Sequence, residues 1–291
     1  MDPLIKDMLR IRRFEEEVSN RYMSELLMRC PIHLCNGQEA VAVGVCSYLK
    51  QTDWVFPSHR NHHWYLAKGG DIRALAAELY SKKTGCSGGM GGSMHVVDTE
   101  VGVSLSSSIV ASNIPVAVGA AWAFKMKGTG QIAVAPFGDG ALDEGVFWES
   151  LNFAALKKLP VLFVLEDNGY ATHSPTESRF CGSVKHKVES FGAVYGFVKG
   201  NDPFKVKEKI EFLVRSVRDN HPALLHCKVC RWMEHVGPGE DFHLGYRDDV
   251  AIRLDQELDL LRGVKDTTVN EEVKDAFEFA RVSEFPESCF V

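Results

Sequence analysis

Two apolar runs of strand length, residues 132–137 and 161–165, flank a stretch in which Leu142, Val146, Leu151, Ala154 and Ala155 recur at helical spacing. Continuous rather than alternating runs are what strands need when helices cover both of their faces. Asp143 and Glu144 fall in the first turn of the helix, where acidic groups suit the positive end of its dipole. Leu159-Pro160 ends it. The pattern therefore predicts strand, turn, helix, strand, with a crossover that returns the second strand parallel to the first. Both turns, Gly138-Asp139-Gly140 and Asp167-Asn168-Gly169-Tyr170, then lie at the carboxyl edge of the sheet, where open α/β sheets bind ligands.

The rest of the chain reads as more of the same architecture. Residues 3–29 form an amphipathic helix with Leu4, Met8, Ile11, Val18 and Tyr22 near one side, stopped by Pro31. An apolar helix runs from about Glu39 through Leu49, and 114–124 reads as a core helix. Residues 184–196 start helical, 204–218 are amphipathic, and 223–229 make a buried strand. Two further amphipathic segments, 254–261 and 269–281, form a helical C-terminal part. There is no internal repeat or long linker, so the expectation is one α/β domain over residues 1–291.

Composition removes several classes of function. A net charge of −6 and the lack of a basic run speak against a nucleic-acid partner. The longest apolar stretch, 114–124, is too short to span a bilayer, so no membrane partner is expected. The N-terminus lacks a signal-peptide core, and Glu15–Glu17 argue against an Arg-rich transit peptide. Eight scattered cysteines do not make a disulfide framework; Cys227 and Cys230 read as strand positions rather than a zinc or redox pair. The cytoplasm is the simplest compartment.

The chemistry concentrates in three places. Asp139 and Asn168 can meet at the sheet edge, where a carboxylate, an amide oxygen and main-chain carbonyls suit magnesium and free N–H groups suit phosphate. By itself a Gly-Asp-Gly is as readily a loop-capping aspartate. His59, Arg60, His62 and His63 form an electropositive patch fit for phosphate or carboxylate. His33 precedes the Gly37-Gln38-Glu39-Ala40 helix start, and His235 lies in a polar loop after the final strand.

Gly138-Asp139-Gly140 followed by Asn168 at this spacing resembles the thiamine-diphosphate signature, and the wider stretch from Gly138 to Pro175 resembles alpha subunits of the 2-oxo-acid dehydrogenase decarboxylating component. That family includes pyruvate, branched-chain 2-oxo-acid and acetoin dehydrogenases, and the similarity runs from His33 to about Tyr246. It implies a thiamine-diphosphate-binding fold, with a central, mainly parallel sheet and helices on both faces. It implies Mg²⁺ on Asp139, Asn168 and the carbonyl of Tyr170, and the diphosphate near Arg60, His59, Gly138, Gly140, Ala141 and Asn168. Val110 matches the backbone contact to the aminopyrimidine; His33, His235 and His62 match catalytic positions.

The resemblance also sets out the partners. The glutamate that activates thiamine diphosphate comes from a beta chain in this family, which leaves Glu39 a structural role and implies an assembly of two alpha and two beta chains. The implied activity cleaves a C–C bond next to a carbonyl of a small substrate and passes the acyl unit to lipoamide, with a lipoyl acyltransferase as a further partner. Two departures matter. His59 stands where pyruvate enzymes often carry Tyr, and Val236 replaces the serine phosphorylated in mitochondrial pyruvate enzymes. The alternatives are an acyloin-forming two-carbon transferase using the same cofactor, motivated by His59 and Ser106–Ser108, and a non-catalytic interaction subunit of the same fold.

Overall fold

The computed structural model of the chain describes residues 1–247 and 249–287. Its helices are α1 (Pro3–Glu25), α2 (Glu39–Cys46), α3 (His62–Ala67), α4 (Ile72–Leu79), α5 (Asn113–Lys127), α6 (Gly145–Lys157), α7 (Val184–Ser190), α8 (Pro203–Arg218), α9 (Val250–Glu257) and α10 (Thr267–Val282). Its strands are β1 (Trp54–Val55), β2 (Ala133–Gly138), β3 (Val161–Asp167), β4 (Tyr170–Ala171), β5 (Ser174–Pro175), β6 (Val194–Lys199) and β7 (Ala223–Lys228). The order β1-β2-β3-β7-β6 makes one sheet in which every neighbouring pair is parallel.

The side chains of β3 divide between two cores, as a doubly covered strand requires. Val161, Phe163 and Leu165 join the cluster under α5 and α6, whereas Leu162 and Val164 join the cluster under α2 and α8. A third cluster lies among α1, α4 and α10, which carries the C-terminal helix into the same body. Pro136 sits inside β2, an unusual place for a residue without an N–H. The strand tolerates it because β1 ends at Val55, so nothing beyond that point asks for the missing donor. The carbonyl of Pro136 accepts instead from Asn113 Nδ2 at 2.9 Å.

Several sequence expectations need correction. The first helix stops at Glu25, where Leu26 turns left-handed, rather than at residue 29. The helix from Glu39 ends at Cys46, short of Leu49. Residues 194–199 form β6, a parallel edge strand that the mixed apolar and polar pattern did not mark. Finally, α5 is not a core helix on all sides: Ile114, Ala117 and Ala121 are buried, but Met126 is 76% exposed and Trp122 and Val116 are well exposed. Cys227 is buried, Cys230 half-buried, and both are free thiols pushed up in pKa by burial.

Candidate active site

The parallel register pairs Gly138 with Glu166, so the turns that follow β2 and β3 emerge side by side at the carboxyl edge. Asp139 and Asn168 therefore line one cavity of about 170 Å³, together with Gly138, Gly140, Ala141 and Tyr170. Asp139 is almost fully buried. Its Oδ2 accepts from Thr176 Oγ1 and from Arg179, each at 2.7 Å. Its Oδ1 is buried with no partner at all. Burial pushes this carboxyl above its ordinary pKa, and the Thr176 hydrogen bond opposes the shift. An orphaned carboxylate oxygen on a residue that lines a cavity is an acceptor waiting for a donor or a cation.

Asn168 folds its own turn: its Oδ1 accepts from the Tyr170 N–H at 3.1 Å, while Nδ2 donates to Gln38 Oε1 at 3.4 Å. Gly169 at φ +86° allows the reversal, which a side-chain-bearing residue would strain. Oδ1 of Asn168 retains a second lone pair, and the Tyr170 carbonyl follows it on the same turn. An oxygen set of carboxylate, amide and main-chain carbonyl is what a hard cation such as Mg²⁺ accepts, so the residues fit the implied metal. Gly140 is packed closely, since a Cβ there would meet Ala171 Cβ at 3.0 Å.

Three imidazoles line the same cavity. His33, His59 and His235 place ring nitrogens within 4.8 Å of one another, from the segment before α2, the loop before α3 and the loop after β7. Burial, reinforced by the Arg60 guanidinium, pushes them down to about 2, 3 and 3 respectively, so all three rings are neutral near pH 7. The same positive field disfavours a cation among them. Nδ1 of His33 is buried and unpartnered. Arg231 approaches Nδ1 of His235 at 3.4 Å, which leaves that ring's proton on Nε2.

Arg60 lies on the cavity wall and is itself held by the protein. It donates to the main-chain carbonyls of Leu34 and His235. Val110 also lines the cavity. His62 does not. It is 1% exposed and sealed between Glu15, at 2.9 Å from Nδ1, and Ser93, at 2.9 Å from Nε2. His62, expected at a catalytic position, thus lies outside the lining of this cavity. His63 is bonded to Glu166 at 2.9 Å. Glu39 is buried in an ion pair with Arg12 and accepts from the Gly37 N–H at 3.0 Å, which matches the structural role expected for it.

Sequence reasoning missed Gln38, Glu166 and Thr172 as site residues, all of which line the cavity, and Ser108, flagged within Ser106–Ser108, lines it too. It also missed Thr176 and Arg179, which reach Asp139 from beyond β5. Glu166 enters from the end of β3 and Gln38 from the start of α2, whereas Thr172, Thr176 and Arg179 depend on which loops fold back over the sheet edge.

Residues 6–285 match the family model described as the dehydrogenase E1 component. The chain is 35% identical over 92% of its length to the alpha subunit of acetoin:2,6-dichlorophenolindophenol oxidoreductase from Bacillus subtilis, covering 80% of that protein. It is 33% identical over 97% of its length to the pyruvate dehydrogenase E1 component subunit alpha of Rickettsia bellii, covering 91% of that protein. Among solved structures it resembles transketolase from Campylobacter jejuni, with a TM-score of 0.65 at 17% identity, covering 97% of this chain and 47% of that one. The chain spans about half the length of that transketolase, so the likeness is one of fold. By a family match over nearly its whole length, and by relatives that are alpha subunits, the chain belongs to the dehydrogenase E1 component family.

Proposed function

We propose that this chain is the alpha subunit of a thiamine-diphosphate-dependent 2-oxo-acid or acetoin dehydrogenase, working in the cytoplasm as one α/β domain with a beta chain as partner. The observation that carries the reading is Asp139, which keeps an unpartnered buried oxygen and lines the same cavity as three neutral histidines. Asp139, Asn168 and the Tyr170 carbonyl would hold Mg²⁺; Gly138, Gly140, Ala141, Arg60 and His59 border the space for the diphosphate, and Val110 that for the aminopyrimidine. When bound, thiamine diphosphate supplies the carbanion chemistry that cleaves the bond next to the substrate carbonyl, and lipoamide on an acyltransferase takes the acyl unit.

The chain's own residues orient and move protons. His235 presents an Nε2–H donor to a carbonyl oxygen, because Arg231 occupies its Nδ1. His33 Nδ1 is free to accept or donate. Both rings are neutral near pH 7, so each works as a hydrogen-bonding group that takes up a proton only against burial.

A beta chain fits for two reasons. Among the described residues the one glutamate on the cavity wall, Glu166, is committed to His63 and Trp64, and Glu39 is committed to Arg12. Apolar surface is also uncovered, with Ile109 70% exposed next in sequence to the cavity-lining Val110, and Val116 and Trp122 of α5 open to solvent. Two alpha and two beta chains would close it symmetrically. The test is to assay the partner-free chain with Mg²⁺, thiamine diphosphate and a panel of 2-oxo acids and acetoin, then add the copurifying partner. Turnover only after addition is expected; equal turnover without it would sink the split-site reading. His59 and Ser108 on the cavity wall keep a second reading, an acyloin-forming transferase. Products that do not depend on lipoamide would favour it.

A further inference from the structure

The segment after β5 grips the Gly138-Asp139 turn from outside the cavity. Thr176 and Arg179 both donate to Oδ2 of Asp139 at 2.7 Å, while Oδ1 stays buried and bare. Arg179 is mostly buried, with a side chain 16% exposed. Its other groups are also engaged: NH1 pairs with Asp143, and Nε donates to the Ser174 carbonyl at 3.1 Å. One carboxylate thus carries a protein cation on one oxygen and nothing on the other. A guanidinium and a divalent cation sharing that carboxylate would repel each other across a few ångströms in a poorly solvated place.

We infer that Arg179 is the internal counter-cation of Asp139, and that a divalent cation takes this carboxylate in competition with it. The inference rests on Asp139 being a metal ligand. Exchange is cheap by construction, because Asp143 and the Ser174 carbonyl hold the guanidinium when Oδ2 is given up. One charged contact is lost rather than all of them. Arg179 therefore sets how much cation is needed to load the site, and it keeps the emptied Asp139 neutralised. A residue that merely supported the loop would behave in the opposite way: its removal would loosen the site and weaken the ion.

The sign of the effect is the test. Mn²⁺ binding to the full chain is measured from the electron paramagnetic resonance signal of the free ion, without diphosphate, for the wild type, Arg179→Gln, Arg179→Lys and Asp139→Asn. Arg179→Gln should bind Mn²⁺ about tenfold more tightly, a typical size for removing one close like charge. Arg179→Lys should fall between Gln and wild type, since a point charge pairs less well than the fork. Asp139→Asn should lose the ion. If Asp139→Asn binds as before, the metal-ligand reading itself fails. If Asp139→Asn loses the ion but both Arg179 variants bind as wild type or more weakly, the competition fails and the metal site stands. Should the Gln variant not fold, the Lys variant against wild type decides by the same sign.

Discussion

Arg60 donates a hydrogen bond to the main-chain carbonyl of His235 at 3.1 Å, so a residue just before α3 pins the loop that follows β7. The same guanidinium holds the Leu34 carbonyl, next to His33. One planar fork thereby fixes the segments that carry two of the three cavity histidines. Lysine keeps the charge but cannot bridge both carbonyls. Arg60→Lys should therefore raise amide hydrogen exchange across residues 231–238 and weaken thiamine diphosphate about tenfold in the assembled protein, read by calorimetry. Unchanged exchange in that loop would contradict the pinning role.

Asp139→Ala removes the charged oxygen donor of the Gly138-Asp139-Gly140 turn, and magnesium-dependent binding of thiamine diphosphate should fall below detection. Asn168→Ala should weaken it less, because only an amide dipole is lost. That variant also loses the hydrogen bond that shapes the turn to Tyr170. Titration calorimetry with and without Mg²⁺ checks both. Equal loss in the two variants would mean that turn geometry, not charge, governs the site.

The three histidines make the fold acid-sensitive. Their folded values, about 2 for His33 and about 3 for His59 and His235, lie below the ordinary 6.5. The unfolded chain therefore binds more protons below pH 6.5. The stability associated with the neutral rings is complete above that pH and is lost as pH falls towards the folded values, by about 1.4 kcal/mol per pH unit for each ring. His59→Asn should flatten the decline between about pH 6 and 4 by one such increment. Urea unfolding at stepped pH measures the slope, and an identical slope in the variant would show that His59 protonates in place.

Glu39 is predicted to matter for stability rather than for cofactor activation. Glu39→Gln would leave Arg12, buried and stacked 4.0 Å over the Trp232 ring, with Asp259 as its remaining carboxylate. Leaving a buried guanidinium under-compensated costs about 3 kcal/mol. A marked fall in the denaturation midpoint, with activity per folded assembly largely kept, is expected. Intact stability with abolished turnover would instead make Glu39 the activating acid.

What the chain determined by itself is local and periodic. The strand–turn–helix–strand unit from residue 132 to 167 was legible because continuous apolar runs and a helical repeat are short-range consequences of burial on both faces. The parallel crossover rule then placed Asp139 and Asn168 at one edge without any knowledge of the rest. The tertiary structure decided what no local pattern encodes. β6 became a strand because β7 offered an open edge to pair with, not because its own sequence alternates cleanly. α5 kept an apolar outer side because only one of its faces meets the sheet. His62 turned inward to Glu15 and Ser93 while His59, three residues earlier, reached the cavity. Arg179 found Asp139 only because the β4–β5 hairpin folds back over the sheet edge. Periodicity reports which face of an element is dry; which polar group meets which is settled by long-range packing, where each contact depends on chain segments far apart in sequence.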